Sequence, residues 1–244
     1  VARRHGDGAR AKATLTNVID RVIRPDADDA AHWAAQRIGG AVREALTGRG
    51  RASLALSGGR SPWVMMAHLF ALDLPWHAVD ILQVDERVAP DGDAQRNMTR
   101  IAALLDGTPA AAARMHPMEV TRGPAGAVRG YTEVLASLGG PIDVVQLGLG
   151  EDGHTASLAP GDPVLDVHDA PVAATAHPFN GTTRVTLTYP ALDAAHEVVW
   201  LVTGSAKREM ASRLAAADPS IPAGRVRAAA QVLVLDQEAA GPNG

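Results

Sequence analysis

Short, almost wholly apolar runs alternate along this chain with glycine-bearing turns and with segments whose apolar residues recur at helical spacing. Seven runs predict strands: Asn17–Ile23, Ser53–Leu56, Val79–Val84, Ile142–Leu147, Arg184–Thr188, Val198–Val202 and Gln231–Leu235. They are rich in Val, Ile and Leu, and several are apolar throughout, which is the pattern of strands covered on both faces, as in parallel sheets. Helices are predicted between them. Asp28 or Asp29 caps one whose Trp33, Ile38, Val42 and Leu46 lie close to one face. Pro62 sits in the first turn of another that reaches Phe70, and Asn97–Leu105, Ala125–Leu138 and Ala206–Ala217 complete the set. This alternation predicts an α/β fold, a mostly parallel sheet with helices on both faces. The connection from Gly148 to Thr183 is long and holds Pro160, Pro163, Pro171 and Pro178, leaving room for an excursion at the sheet edge. No linker interrupts the pattern, so a single domain is expected over 15–240, behind a basic, solvated N-terminal extension over 1–14.

Composition narrows the function classes. Of 244 residues, 46% are hydrophobic, enough for a sizeable core, and the formal net charge is −4. A mildly acidic chain has no bulk attraction to nucleic acid or to an anionic membrane, so an anionic ligand needs locally concentrated positive charge. No stretch approaches the roughly 20 apolar residues of a membrane helix, and the basic start lacks the apolar centre of a secretory signal. Cysteine is absent, which removes disulfides, thiolate zinc sites and a cysteine nucleophile. The expectation is a cytoplasmic monomer or small homo-oligomer with a small-molecule partner, no nucleic-acid or membrane partner, no cofactor and no metal.

In open parallel sheets, ligands bind beyond the carboxyl ends of the strands. Four predicted strand ends carry the unusual residues of this chain: Ser57-Gly58-Gly59-Arg60-Ser61-Pro62, Asp85-Glu86-Arg87, Gly148 to Thr155, and Gly204-Ser205-Ala206-Lys207. The first is a glycine turn feeding a helix N-terminus, an arrangement suited to anions, with Ser57 as a hydroxyl donor; alone, it could equally be an ordinary strand-to-helix turn. Lys207 is a candidate cation for the same phosphate, although an isolated lysine is commonly just solvated. Asp85 and Arg87 would point to one side if the strand continues, Arg87 towards a negatively charged oxygen, whereas Glu86 is the charge expected to pair at the surface.

Gly148, Gly150 and Gly153 match the dinucleotide fingerprint, but Pro160 and Pro163 forbid the long helix that follows it in a nucleotide-binding unit. His154 is then the residue of interest. A lone histidine is more often structural than catalytic, yet this one lies in a glycine loop with Asp152 two residues away, where a carboxylate can fix its tautomer for general-base work. The serine elbow G-x-S-x-G fails because Ala55 replaces its first glycine, and neither H-E-x-x-H nor a G-x-x-x-x-G-K-[ST] loop occurs. Activated water is favoured over a serine nucleophile or a metal.

SGGRSP (57–62), DERVAP (85–90), GLGEDGHTASLAPG (148–161), RVTLTYPAL (184–192) and Gly204 to Lys207 resemble the 6-phosphogluconolactonases, in order over nearly the whole chain. The resemblance implies the Rossmann-like sheet of the glucosamine-6-phosphate deaminase/6-phosphogluconolactonase type, without a dinucleotide. It implies hydrolysis of 6-phospho-D-glucono-1,5-lactone to 6-phospho-D-gluconate, the second step of the oxidative pentose phosphate pathway. His154 would be the base for water, Asp152 its support, and Arg87 the group at the lactone carbonyl, with Asp85 contacting substrate or positioning Arg87. Ser57, Gly58, Gly59, Arg60, Arg184 and Lys207 would be phosphate-side candidates, although an arginine opening a strand, as Arg184 does, could equally be a surface residue. The deaminases resemble the chain less: their related loop carries a glutamate where Ala159 stands, and a tyrosine where Arg87 stands. The lactonases usually have phenylalanine at Ala159 and threonine at Ser61, and a smaller residue at 159 is expected to loosen the loop around the pocket. A non-catalytic phosphosugar sensor is the reading from another class, and the presence of Asp85, Arg87, Asp152 and His154 argues against it.

Overall fold

The computed structural model describes residues 19–242. Seven strands form one sheet in which every neighbouring pair runs parallel: β1 (Asp20–Arg24), β2 (Ala52–Leu56), β3 (Val79–Gln83), β5 (Arg114–His116), β6 (Val144–Leu147), β9 (Glu197–Val202) and β10 (Gln231–Asp236), in the order β1-β10-β9-β6-β2-β3-β5. The α/β expectation is met, with the edge strand β5 added; it is too short and too polar to show as an apolar run. The predicted extension over 1–14 and the start of the first predicted strand, Asn17 and Val18, lie outside the described residues.

Alternation along the strands sorts side chains between two cores. Leu54, Leu56, Ile81, Val199, Leu201 and Val234 pack on one face, against α1 (Ala27–Arg49), α2 (Arg60–Phe70) and α3 (Asn97–Leu105). Ala55, Leu82, Val198, Trp200, Leu233 and Leu235 pack on the other, together with residues of α4 (Gly123–Ser137), α5 (Tyr189–Ala194), α6 (Arg208–Ala215) and α7 (Gln237–Ala240). With both faces covered, β2, β3, β6, β9 and β10 are buried at every residue, which is why they read as largely apolar runs.

The structure revises several local expectations. The cap of α1 is Asp26, whose Oδ1 accepts from the backbone N–H of Asp28 and Asp29 at 2.9 Å each; those two acids lie inside the first turn instead, where the helix dipole favours negative charge. Ile38 and Val42 are fully buried, while Trp33 and Leu46 pack at the margin of that core. The helix predicted over 206–217 begins as a 3₁₀ turn at Ser205–Lys207 before α6.

The strand predicted at 184–188 is not part of the parallel sheet. As β8 (Arg184–Leu187) it pairs antiparallel with β4 (Asp85–Arg87) and with β7 (Val172–Ala174), the latter contributed by the long 148–183 connection. Its polar–apolar alternation is the signal: Val185 and Leu187 enter the core, leaving Arg184 and Thr186 for the opposite face. Leu187 N–H donates to Val84 O at 2.8 Å, tying the small sheet to the end of β3.

Glu86, expected at the surface, is fully buried. Its Oε1 accepts from the N–H groups of Arg87 (2.8 Å) and Asn97 (2.7 Å), and its Oε2 from Gln83 Nε2 (2.9 Å) and Met98 N–H (2.8 Å). Arg96 Nε stands 3.5 Å from the same carboxylate. Glu86 thus caps α3 from another element, and the start of that helix supplies the donors that make burial of a charge tolerable. Losing such a partner leaves buried donors and a buried guanidinium unsatisfied. Glu86→Ala is therefore expected to lower stability by about 3–5 kcal/mol in urea unfolding, with Glu86→Gln intermediate.

Candidate active site

Strand order reverses between β2 and β6: from β2 the chain proceeds outwards through β3 to β5, and from β6 through β9 to β10. The carboxyl ends of these two neighbours form a topological switch point. A cleft of about 680 Å³ opens there. It brings together nine of the ten residues expected from the sequence: Ser57, Gly58, Gly59 and Arg60 after β2, Asp85 and Arg87 on β4, His154 in the loop after β6, Arg184 on β8, and Lys207 beyond β9. Asp152, the tenth, stands behind His154 instead of in the wall.

His154 Nδ1 lies 2.5 Å from Asp152 Oδ1, and the same oxygen accepts from His154 N–H at 3.1 Å. Because a carboxylate can only accept, this contact assigns a ring proton to Nδ1, so that in the neutral imidazole Nε2 carries the lone pair. Partial burial pushes the Asp152 carboxyl up, but the hydrogen bonds and charge of His154 outweigh it and hold the group below the usual aspartate value. The loop closes on itself, Gly150 N–H donating to His154 O at 2.8 Å and Thr155 Oγ1 to Gly148 O at 2.9 Å. A Cβ on Gly150 would meet His154 Nδ1 at 1.9 Å, so glycine is what lets the pair seat there. No long helix follows Gly153, only a 3₁₀ turn at Pro163–Asp166, as the two prolines forecast.

Asp85 and Arg87 both face the cleft, and Glu86 between them faces the interior, as alternation predicts. Asp85 is itself nearly enclosed: Oδ2 accepts from Ser157 Oγ at 2.6 Å and lies 3.7 Å from Arg184 Nη1, while Oδ1 accepts from Asn97 Nδ2 at 3.1 Å. Arg184 is 6% exposed, an inward-facing residue; its Nε donates to Phe179 O at 3.1 Å and its guanidinium lies 5.0 Å over the Phe179 ring. Burial pulls Arg184 below the ordinary arginine value, opposed by Asp85 and reinforced by Arg87. The Phe179 ring also meets His154 edge-on at 4.8 Å.

The turn after β2 differs in detail from expectation. Ser57 is 4% exposed, its hydroxyl donates to Gln146 O at 2.8 Å and its N–H to Gln146 Oε1 at 3.2 Å. A hydroxyl has one proton, so Ser57 anchors the turn to β6 and has none left for a phosphate in this arrangement. Ser61 and Thr203, both in the cleft wall, share a hydrogen bond of 2.6 Å in which one hydroxyl proton remains free. No side chain caps α2, and Lys207 Nζ lies 3.7 Å from Glu151 at the same end. Ala159, in the loop expected to be loosened by a small residue there, is buried outside the cleft wall.

Sequence reasoning missed Asn97, Ser157, Phe179 and Thr203. Each is a common residue type whose role depends on distant strands meeting, though Ser157 lies only three residues beyond His154.

The fold and cleft define a Rossmann-like α/β protein with a polar cleft at the switch point of its sheet. Residues 25–235 match the family described as glucosamine-6-phosphate isomerases/6-phosphogluconolactonase, and the chain belongs to that family. It is 34% identical to the 6-phosphogluconolactonase of Mycobacterium tuberculosis, over 89% of this chain and 96% of that one. It is also 34% identical to that of Streptomyces coelicolor, over 93% and 95%. The structure of a 6-phosphogluconolactonase from Shewanella baltica shares the fold, with a TM-score of 0.82 at 24% identity over 89% of this chain and 97% of that one. Among the described residues, no helix is long and apolar enough to cross a membrane.

Two expectations follow from the His154 loop. Gly150→Ala should displace the imidazole and cut turnover about a hundredfold, the scale of a misplacement near 1 Å, while circular dichroism shows the fold intact. Asp152, with its folded value below its unfolded value of about 3.9, contributes stability that is present above that value and lost as pH falls through the folded one. Asp152→Asn removes this dependence, so the fall in Tm from about pH 5 to about pH 3 should become shallower.

Proposed function

We propose that the chain hydrolyses 6-phospho-D-glucono-1,5-lactone to 6-phospho-D-gluconate, with His154 as the general base. The observation that carries this reading is the 2.5 Å His154–Asp152 contact, which leaves Nε2 as a proton acceptor on the wall of a cleft that also presents Arg87. Its support comes too from the relatives, which bear the name 6-phosphogluconolactonase over nearly their full lengths.

In the reaction, Nε2 takes a proton from water as the oxygen bonds to C1 of the lactone. Negative charge gathers on the carbonyl oxygen, where Arg87 offsets it. Collapse of this adduct breaks the bond from C1 to the ring oxygen, which accepts the proton from Nε2. The new carboxylic acid ionises and releases one proton to solvent. Asp152 steadies the imidazolium that forms between these steps. The phosphate lies against the uncapped start of α2 with Arg60 and Lys207 nearby, so that binding energy remote from C1 places the ring for attack. Arg184, enclosed beside Asp85, adds positive field on the carbonyl side.

The test is proton release from freshly generated lactone, measured above the spontaneous rate. The protein should accelerate release; His154→Ala should lower kcat by about a hundredfold or more with KM little changed. Lys207→Ala should raise KM about tenfold, the equivalent of one charge-assisted hydrogen bond near 1.5 kcal/mol. No acceleration by folded wild-type protein would sink the reading and turn attention to glucosamine 6-phosphate.

A further inference from the structure

We infer that Asn97 is a positioning residue, a neutral spacer that keeps Arg87 from collapsing onto Asp85 and so leaves its guanidinium available to the reacting carbonyl. The inference rests on the reaction proposed above. Asn97 opens α3 and is 1% exposed. Its Nδ2 donates to Asp85 O at 2.9 Å and to Asp85 Oδ1 at 3.1 Å, and its Oδ1 accepts from Arg87 Nη1 at 2.8 Å. Only one orientation of the amide satisfies these contacts, since a guanidinium only donates and a carboxylate only accepts. The side chain therefore lies between two opposite charges and satisfies both.

The remaining contacts of Arg87 explain why a spacer matters. Nη1 also donates to Gln95 O at 2.6 Å, whereas among the described residues neither Nε nor Nη2 has a protein partner, and Nε is buried. Asp85 forms its ion pair with Arg184, at 3.7 Å, and not with Arg87. Without Asn97, two cations and one carboxylate would share a nearly enclosed space, and a direct Arg87–Asp85 pair would be the arrangement that recovers the most electrostatic energy. That pair would turn the guanidinium away from the carbonyl. The fit also reaches the glycine turn: a Cβ on Gly58 would stand 1.9 Å from Asn97 Oδ1, so the turn and the spacer exclude any bulk between them.

The experiment compares wild type, Asn97→Ala, Arg87→Ala, the double variant and Asn97→Asp by thermal melting and by lactone hydrolysis across pH, with a crystal structure of Asn97→Ala. For Asn97→Ala the expected result is a kcat lowered about ten- to a hundredfold with KM within about threefold, and a double variant no slower than Arg87→Ala alone. The crystal structure should show Arg87 paired directly with Asp85, a readout that holds whatever reaction the protein performs. Asn97→Asp supplies a second test if the alanine variant does not fold. Its protonated carboxyl reproduces the amide, accepting from Arg87 and donating to Asp85; ionised, it sets two carboxylates side by side. Its kcat should therefore fall with rising pH on a descending limb that wild type lacks. Additive losses in the double variant, an unmoved Arg87, or a pH profile parallel to wild type would overturn the spacer. Inactive wild type with Arg87 moved in Asn97→Ala would overturn the reaction and leave the spacer standing.

Discussion

One carboxylate, that of Glu86, holds the reactive half of the molecule in place. It accepts hydrogen bonds from the end of β3, from its own neighbour Arg87 and from the first two residues of α3, and it has a buried arginine beside it. An isolated carboxylate in such a place would cost far more than any packing could return, so the interactions come as a set or not at all. Because Asp85 and Arg87 flank it on a strand of three residues, fixing Glu86 inwards fixes both of them outwards. Asn97 then reads that geometry from the helix side.

The cleft walls follow a second constraint, the reversal of strand order. Loops from both halves of the sheet converge where β2 and β6 adjoin, and this convergence brings a glycine turn, an acid–imidazole pair and several cations within one cavity although they are spread from residue 57 to residue 207. The net charge of −4 is no obstacle, since Arg60, Arg87, Arg184 and Lys207 line this rim beside Asp28, Asp85, Asp236 and Glu238. An anion thus meets individually placed cations and not a net positive patch.

What the sequence made legible, and what it hid, follows from range. The central parallel strands announce themselves because burial on both faces leaves them mostly apolar, and the rim residues stand out because charge follows those runs immediately. Arg184 is a candidate only through the resemblance, and its burial cannot be read from a residue that opens a strand. Glu86 was misplaced because three charges in a row look solvated until a helix start from eleven residues later is brought to them. Ser57 follows an apolar run as a hydroxyl donor should, yet its proton goes to Gln146, a partner 89 positions away. β8 shows in the sequence as a strand, but its partners β4 and β7 hold three residues each, too few for periodicity to be counted, so the antiparallel pairing stays hidden.

The ladder joining β2 to β6 registers only two residue pairs, Leu54 with Val144 and Ala55 with Val145, against five between β2 and β3. Side chains reinforce it at either end, Ser53 with Asp143 below and Ser57 with Gln146 above. Arg87 and His154 stand on opposite sides of this seam. The two sides are tied together again beyond the short ladder, by β4 pairing with β8, by Ser157 and Arg184 on Asp85, and by cores on both faces that draw residues from each side. The union of the working parts thus rests on contacts that bypass the seam.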